Sequence, residues 1–183
     1  LTGIQILYAI KAAKFIRKIN PKLPIVWGGV HPTLTAEQTL QNEFVDIIVR
    51  GEGEATIVDL AKCLQDGGNL NSVRGISFKE NGKIIHNPDR EFVDLDALPP
   101  IPYELLDITK YAIHEYFHYQ SARGCPHRCE FCDVIVFNRR RWRCKSAEKT
   151  LSELTYIINR YKPKTIEFVD DNFFVDKARA EAI

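Results

Sequence analysis

The chain has 183 residues, a length that fits one domain or parts of two. It carries 25 Lys and Arg residues against 24 Asp and Glu residues, and the net charge of +1 argues against nucleic-acid or membrane partners attracted by bulk charge. Hydrophobic residues make up 45% of the chain, and no apolar run approaches the ~18 residues of a membrane span. Disordered, collagenous and transmembrane classes are therefore excluded.

Both ends of the sequence fall inside helical patterns, and the chain contains no Met. We therefore expect an internal piece of a longer protein. The five cysteines are an odd number in a chain too long to need disulfide stapling, and this usage favours a reducing, cytoplasmic setting.

The first 70 residues alternate between helical and strand patterns. A short apolar run closes at Gly28 and Gly29, as a buried strand does when it turns sharply at its carboxyl end. Thr35 and Gln38 form the pattern of a capping box, which predicts a helix to about Glu43. The alternation predicts a parallel sheet. In order, the predicted elements are a helix over 4–19, a strand over 24–27, a helix over 35–43, a strand over 45–49 and a helix that begins near residue 54.

The middle of the chain changes character. Apolar runs at 76–80 and 83–86 flank Asn81 and Gly82, a strong signal for a two-residue β-hairpin, and we expect a small β appendage here. The stretch 87–111 then holds four of the nine prolines among acidic residues, which is typical of a linker.

The last third returns to the strand-helix pattern. A strand over 116–120 leads into a cysteine-rich loop, Ser146 is the predicted N-cap of a helix, and a second strand covers 165–169. A complete eightfold barrel needs ~250 residues, so this part is expected to hold about two βα units of a larger barrel. The predicted domains are 1–70, a hairpin and linker over 71–114, and a truncated barrel over 115–183.

Three cysteines lie close together at Cys125, Cys129 and Cys132, with the spacing C-x-x-x-C-x-x-C, directly after a strand. Barrel enzymes carry their chemistry in such loops. Three thiolates leave one coordination position open, which indicates a catalytic rather than a structural site. The alternatives are a closed zinc or iron site completed by Cys144, or inert cysteines.

Residues 121–132 resemble the cluster loop of radical S-adenosylmethionine (SAM) enzymes. The resemblance implies that Cys125, Cys129 and Cys132 hold a 4Fe-4S cluster, whose fourth iron is chelated by the amino and carboxylate groups of SAM. It also implies that Phe131 lies next to the adenine of SAM. Simple packing of the loop is the alternative for this aromatic ring.

Residues 28–33, 45–46 and 50–54 resemble the end of the cobalamin-binding domain that precedes the barrel in one large radical SAM subfamily. The resemblance implies that Gly28 and Gly29 let the backbone approach the nucleotide tail of the corrinoid, as ligand sites of open α/β sheets do. The alternative is a retained fold that has lost its ligand. The implied fold class is α/β, the C-terminal part of a Rossmann-like cobalamin-binding domain followed by the first βα units of a partial TIM-like radical SAM barrel.

Asp170 and Asp171 stand at the carboxyl end of the second barrel strand. Many radical SAM enzymes carry a Gly-Gly-Glu type segment there, which contacts the amino group of SAM. This sequence has carboxylates instead, and we expect them to bind that ammonium group. A helix N-cap role is the alternative for Asp171 or Asn172.

The function that this resemblance implies is an enzyme in which electron transfer into the cluster cleaves SAM and starts radical chemistry. Cobalamin would then shuttle a methyl group or assist a rearrangement. The implied partners are a small-molecule substrate and an electron donor such as flavodoxin or ferredoxin. The competing class is a non-enzymatic module, either a Cys-ligated zinc or iron-sulfur domain or a corrinoid carrier.

Overall fold

The computed structural model describes residues 3–111 and 115–183. The chain divides into two compact units, Leu1–Val93 and Asp94–Ile183. None of the helices in the described ranges combines the length and apolar character needed to cross a membrane.

The first unit is built on a four-stranded mixed sheet. Helix α1 (Gly3–Ile19) precedes β1 (Val26–Gly28), and the short helices α2 (Val30–Leu34) and α3 (Ala36–Leu40) lead to β2 (Ile47–Val49). Helix α4 (Glu54–Gln65) follows, and β3 (Ile76–Glu80) and β4 (Lys83–His86) complete the sheet in the order β1-β2-β3-β4. Strands β1 and β2 are parallel, which confirms the predicted parallel pair, and the last two pairings are antiparallel.

Two expectations for this unit are wrong in detail. The hairpin is an integral part of the sheet rather than an appendage, because β3 pairs with β2 and buries Ile76 and Phe78. The predicted capping box does not form. The Thr35 hydroxyl donates back to the carbonyl oxygen of His31 at 2.8 Å, so two short helices replace the single helix over 35–43.

Both faces of the sheet are buried, because alternate residues of a strand point to opposite faces. Helices α1 and α3 cover one face, and α4 covers the other. The first face carries Ala13, Ile25, Trp27, Leu40, Val45 and Ile48, and the second carries Ile47, Val49, Leu60, Val73, Ile76 and Phe78. The near-continuous apolar character of β2 follows from this double burial.

The second unit begins with an extended segment and then forms a parallel β-α-β arrangement. Strands β5 (Tyr116–Tyr119) and β8 (Thr165–Phe168) are parallel neighbours, and helix α6 (Ala147–Tyr161) packs against them. Phe117 and Tyr119 of β5 bury their rings against Leu154 and Ile157 of α6. The remaining elements are β6 (Ala122–Arg123), α5 (Val134–Phe137), β7 (Arg143–Cys144) and α7 (Lys177–Ala182).

Helix α6 begins where the sequence predicts. The Ser146 hydroxyl accepts a hydrogen bond from the Lys149 amide at 3.1 Å, as an N-cap side chain does. The parallel pair returns the chain to the same edge of the sheet, so the segments that follow β5 and β8 lie side by side. That edge carries the cysteine loop.

Candidate functional site

The cysteine loop leaves the carboxyl end of β5 and is closed at its base by a small ribbon. Strands β6 and β7 pair antiparallel, with Ala122 opposite Cys144, and the Lys145 amide donates to the carbonyl oxygen of Ser121 at 2.8 Å. All three predicted cluster cysteines lie in the loop that this ribbon closes. The loop is therefore anchored at both ends, while its tip is free to present side chains.

Two of the three cysteines line one cavity. The Cys132 amide donates to the Cys129 carbonyl at 3.1 Å, and both residues border a cavity of ≈ 470 Å³ together with Arg128, Arg139 and Arg140. Cys125 lies at the start of the loop and is half-buried. The Phe131 side chain is 93% exposed, so it contributes nothing to packing of the loop.

The described residues contain no group of three or more His, Cys, Asp or Glu side chains arranged to hold one metal ion. Thiolates around a single tetrahedral zinc lie about 3.8 Å apart, because each Zn–S bond is about 2.3 Å long. The cysteines of a 4Fe-4S cluster bind different iron atoms and lie further apart. The assignment of the three cysteines as cluster ligands stays a prediction.

Asp170, at the carboxyl end of β8, binds the base of the loop. Its Oδ1 accepts from the amides of Ser121 and Ala122 at 2.6 and 2.8 Å, and its Oδ2 accepts from the Ser121 hydroxyl at 2.5 Å. Both carboxylate oxygens are thus engaged by the loop. The predicted contact of Asp170 with the amino group of SAM stays a prediction, and the structure gives this residue a different set of partners.

The next two residues contact the loop further along. Asp171 Oδ2 accepts from the Gly124 amide at 2.8 Å, and Asn172 Nδ2 lies 3.7 Å from Cys125 Sγ. The indole Nε1 of Trp142 donates to the Asn172 carbonyl at 3.0 Å, which fixes Asn172 in place. Asp171 is therefore not the N-cap of a helix. The N-cap of α7 is Asp176, whose carboxylate accepts a hydrogen bond from the Arg179 amide at 2.9 Å.

Gly124 has a conformation and a setting that exclude a side chain. Its φ of +87° lies in the region that favours glycine, and a Cβ there would lie 2.0 Å from the carbonyl oxygen of Arg141. The glycine directly before the first cysteine is thus required by the close approach of the two sides of the loop.

Cys144 differs from the loop cysteines. Burial raises the pKa of the Cys144 thiol, an effect that the nearby Arg179 guanidinium partly offsets. Cys144 lies in β7 at the base of the loop, opposite Ala122, and it is not among the residues that border the cavity shared by Cys129 and Cys132. This argues against Cys144 as a fourth ligand.

A second cavity lies in the first unit, at the carboxyl ends of the parallel strands β1 and β2. It measures ≈ 390 Å³ and is bordered by four glycines, Gly28, Gly29, Gly51 and Gly53, with Trp27, Val49 and Glu54 among the other lining residues. Ligands of open α/β sheets bind in this position. The predicted cobalamin residues Gly28 and Gly29 therefore line a crevice of the expected kind.

Thr33 joins the two glycine turns around this cavity, a role that sequence reasoning missed. Its hydroxyl donates to the Gly29 carbonyl at 2.7 Å and accepts from the Gly51 amide at 3.0 Å. The two glycines have φ of 98° and 68°. In the sequence, the only sign of this role is that Thr33 follows Gly29 by four residues. That spacing is weak evidence, because it does not show that the turn at Gly51 lies beside it.

Residues of the second turn also hold the segment after the hairpin. The Arg50 guanidinium donates to Asp89 Oδ1 at 2.9 Å and to the carbonyl of Ile76 at 2.9 Å, and Glu52 Oε2 accepts from the Val93 amide at 3.0 Å. Part of the motif that carries the cobalamin resemblance is therefore structural.

Comparison with known proteins finds a domain family that matches the first third of the chain and relatives that match nearly all of it. The model of the B12-binding domain matches residues 2–61. An uncharacterized methyltransferase of Pyrococcus horikoshii is 38% identical over 176 residues, which cover 94% of this chain and 38% of that protein. An anaerobic magnesium-protoporphyrin IX monomethyl ester cyclase of Synechocystis is 36% identical, over 90% of this chain and 34% of that protein.

Among solved structures, the cobalamin-dependent SAM radical enzyme OxsB, with aqua-cobalamin and SAM bound, matches 93% of this chain and 24% of its own chain, with a TM-score of 0.72 and 29% identity. The chain is thus similar over most of its length to cobalamin-binding radical SAM proteins. A structure of the radical SAM methyltransferase TsrM from Kitasatospora setae shares the fold, with a TM-score of 0.78 at 15% identity over 97% of this chain and 35% of that one.

The predicted resemblance to this family and the predicted fold class are confirmed by these comparisons. The chain spans about a third of the length of the two curated relatives, 38% and 34%. The predicted domain boundaries and the individual site residues stay predictions.

Proposed function

We propose that the intact protein is an enzyme that reductively cleaves SAM at a 4Fe-4S cluster and uses the resulting radical chemistry, assisted by cobalamin, for methyl transfer or rearrangement. The observation that carries the proposal is the position of the cysteine loop, which leaves one parallel strand and is bound by carboxylates from the end of the next. Catalytic groups of barrel folds lie at this end of the strands.

The donor set of the loop fits an iron-sulfur cluster with one open position. Three cysteines lie within eight residues, and Cys129 and Cys132 border a cavity whose rim carries Arg128, Arg139 and Arg140. Three guanidinium groups against one carboxylate, Glu130, give the lining of this cavity a net positive charge, which suits a negatively charged cluster. In this proposal Cys125, Cys129 and Cys132 are the ligands.

When bound, the cluster supplies an electron to SAM and cobalamin supplies a carrier for a methyl group. The protein orients these groups. The exposed ring of Phe131, one residue before Cys132, offers an apolar face to the adenine of SAM. Asp171, beside the loop, is a candidate partner for the SAM ammonium group.

The cavity at the ends of β1 and β2 fits the tail of a corrinoid. Glycines leave the backbone uncovered there, and a Cβ at Gly28 or Gly53 would extend toward Val49 at 3.6 Å from its nearest atom and narrow the crevice. The match of residues 2–61 to the B12-binding domain supports the same ligand.

The partners that this function needs are a small-molecule substrate and an electron donor such as flavodoxin or ferredoxin, in a cytoplasmic setting. The similar proteins include methyltransferases and cyclases, so the reaction class is methyl transfer or a radical rearrangement.

Metal analysis separates this proposal from a zinc module. After anaerobic reconstitution with iron and sulfide, we expect the intact protein to turn brown, with broad absorbance and about four iron atoms per chain. A reconstituted protein that stays colourless and binds about one zinc would contradict the proposal and support the structural module.

A further inference from the structure

The segment Asp170, Asp171, Asn172 contacts the cysteine loop residue by residue. Asp170 binds Ser121 and Ala122, Asp171 binds Gly124, and Asn172 reaches Cys125. The two segments thus run side by side from the end of β8 to the first cysteine.

The loop base is held from its carbonyl side as well. Arg179 is 7% exposed, and its Nε donates to the Lys145 carbonyl at 2.6 Å while its Nη2 donates to the Ser121 carbonyl at 3.2 Å. Ser121 therefore has its amide and hydroxyl on the Asp170 carboxylate and its carbonyl on the Arg179 guanidinium. The peptide unit between Ser121 and Ala122 has its N–H on the Asp170 carboxylate and its C=O on the Arg179 guanidinium. These opposite charges favour a single conformation, since hydrogen bonds to charged groups are stronger than neutral ones.

Asn172 contacts the sulfur atom of the first cysteine in the loop. Its side-chain Nδ2 lies 3.7 Å from Cys125 Sγ, a distance that suits an N–H···S hydrogen bond, and its backbone is fixed by Trp142. Hydrogen bonds to cluster sulfurs are among the factors that set the reduction potential of an iron-sulfur cluster. The positive end of an N–H dipole stabilises the more negative, reduced state and so raises the potential.

We infer that Asp170 and Arg179 are positioning residues that fix the start of the cysteine loop, and that Asn172 tunes the cluster through Cys125. This inference rests on the proposed function, because the tuning needs a cluster. It assigns Asp170 to the loop instead of to the amino group of SAM.

The first test uses the intact protein without its cluster. Hydrogen exchange measured by mass spectrometry on peptides that contain residues 121–124 should be faster in the variant Asp170→Ala than in wild type. The variant Asp170→Asn should lie between them, because an amide oxygen still accepts from the two backbone amides. Asp107→Asn is the matched control, since this carboxylate of the same unit is exposed and its partners in the described part of the chain are the near neighbours Thr109 and Lys110.

The second test uses the reconstituted protein and a reductive titration followed by electron paramagnetic resonance (EPR). Asn172→Ala should shift the midpoint potential to a more negative value, and Asn172→Asp should shift it further, because a carboxylate repels the reduced cluster. Melting temperatures of the variants distinguish a shift in potential from a general loss of structure. Asn172→Ala leaves the contacts of the Asp170 and Asp171 carboxylates with the loop intact.

The two tests distinguish a failure of the proposed cluster from a failure of the roles inferred for Asp170 and Asn172. A wild-type protein that assembles no cluster contradicts the proposed function, while the exchange measurement still decides whether Asp170 holds the loop. A wild type that assembles a cluster, with wild-type exchange in Asp170→Ala and an unchanged potential in Asn172→Ala, overturns the inference. Unchanged exchange combined with weaker SAM binding in Asp170→Ala also overturns it and returns Asp170 to the SAM ligands.

Discussion

Replacement of Cys125, Cys129 or Cys132 by Ala, one at a time, should abolish the cluster. Two remaining thiolates do not retain a cubane cluster of this kind, so iron should fall from about four atoms per chain to near zero, with loss of the brown absorbance. The measurement is iron and sulfide content after anaerobic reconstitution of the intact protein.

Cys144→Ala is the matched control. This cysteine lies in β7 at the base of the loop, opposite Ala122, and burial raises the pKa of its thiol. The variant should assemble the cluster as wild type does. Loss of iron in Cys144→Ala with a melting temperature equal to that of wild type would instead indicate a site with four cysteine ligands.

Gly28→Ala should weaken cobalamin binding at least tenfold, equivalent to about 1.4 kcal/mol, with little change in stability. A Cβ at Gly28 meets only the Val49 carbonyl oxygen at 3.6 Å and Val49 Cβ at 3.7 Å, which are ordinary contacts, but it enters the glycine-lined crevice. Equilibrium titration of the intact protein with cobalamin, together with thermal unfolding without ligand, measures both quantities.

Gly29 is the less informative position, because its φ of 98° strains any other residue. Gly29→Val should cost about 1–3 kcal/mol of stability for backbone reasons alone. If Gly28→Ala binds cobalamin as tightly as wild type, or if wild type does not bind it, the crevice is a retained fold without a corrinoid and the cobalamin assignment is wrong.

The sequence predicts best those elements whose determinants are local. The hairpin strands have the predicted bounds, 76–80 and 83–86, because Asn81 and Gly82 both adopt positive φ, 49° and 74°, as a two-residue hairpin turn of this type requires. The N-cap of α6 at Ser146 is likewise local.

What escaped prediction depends on distant contacts. Pairing of β3 with β2 joins residues about thirty positions apart, and a local pattern says nothing about it. Asp170 reaches Ser121 across 49 positions, so a local pattern does not predict its hydrogen bonds with the loop, while its contact with the amino group of SAM stays a prediction. The failed capping box is the exception, because its cause is local: the Thr35 hydroxyl donates to the His31 carbonyl four residues earlier.

In the proposed enzyme, the three-cysteine site leaves one iron of the cluster open to SAM. Its most direct test is the EPR spectrum of the reduced, reconstituted intact protein before and after addition of SAM, with analysis of the products formed under strong reductant. We expect SAM to change the spectrum and 5′-deoxyadenosine to form. A spectrum that SAM leaves unchanged, with no cleavage product, would contradict it.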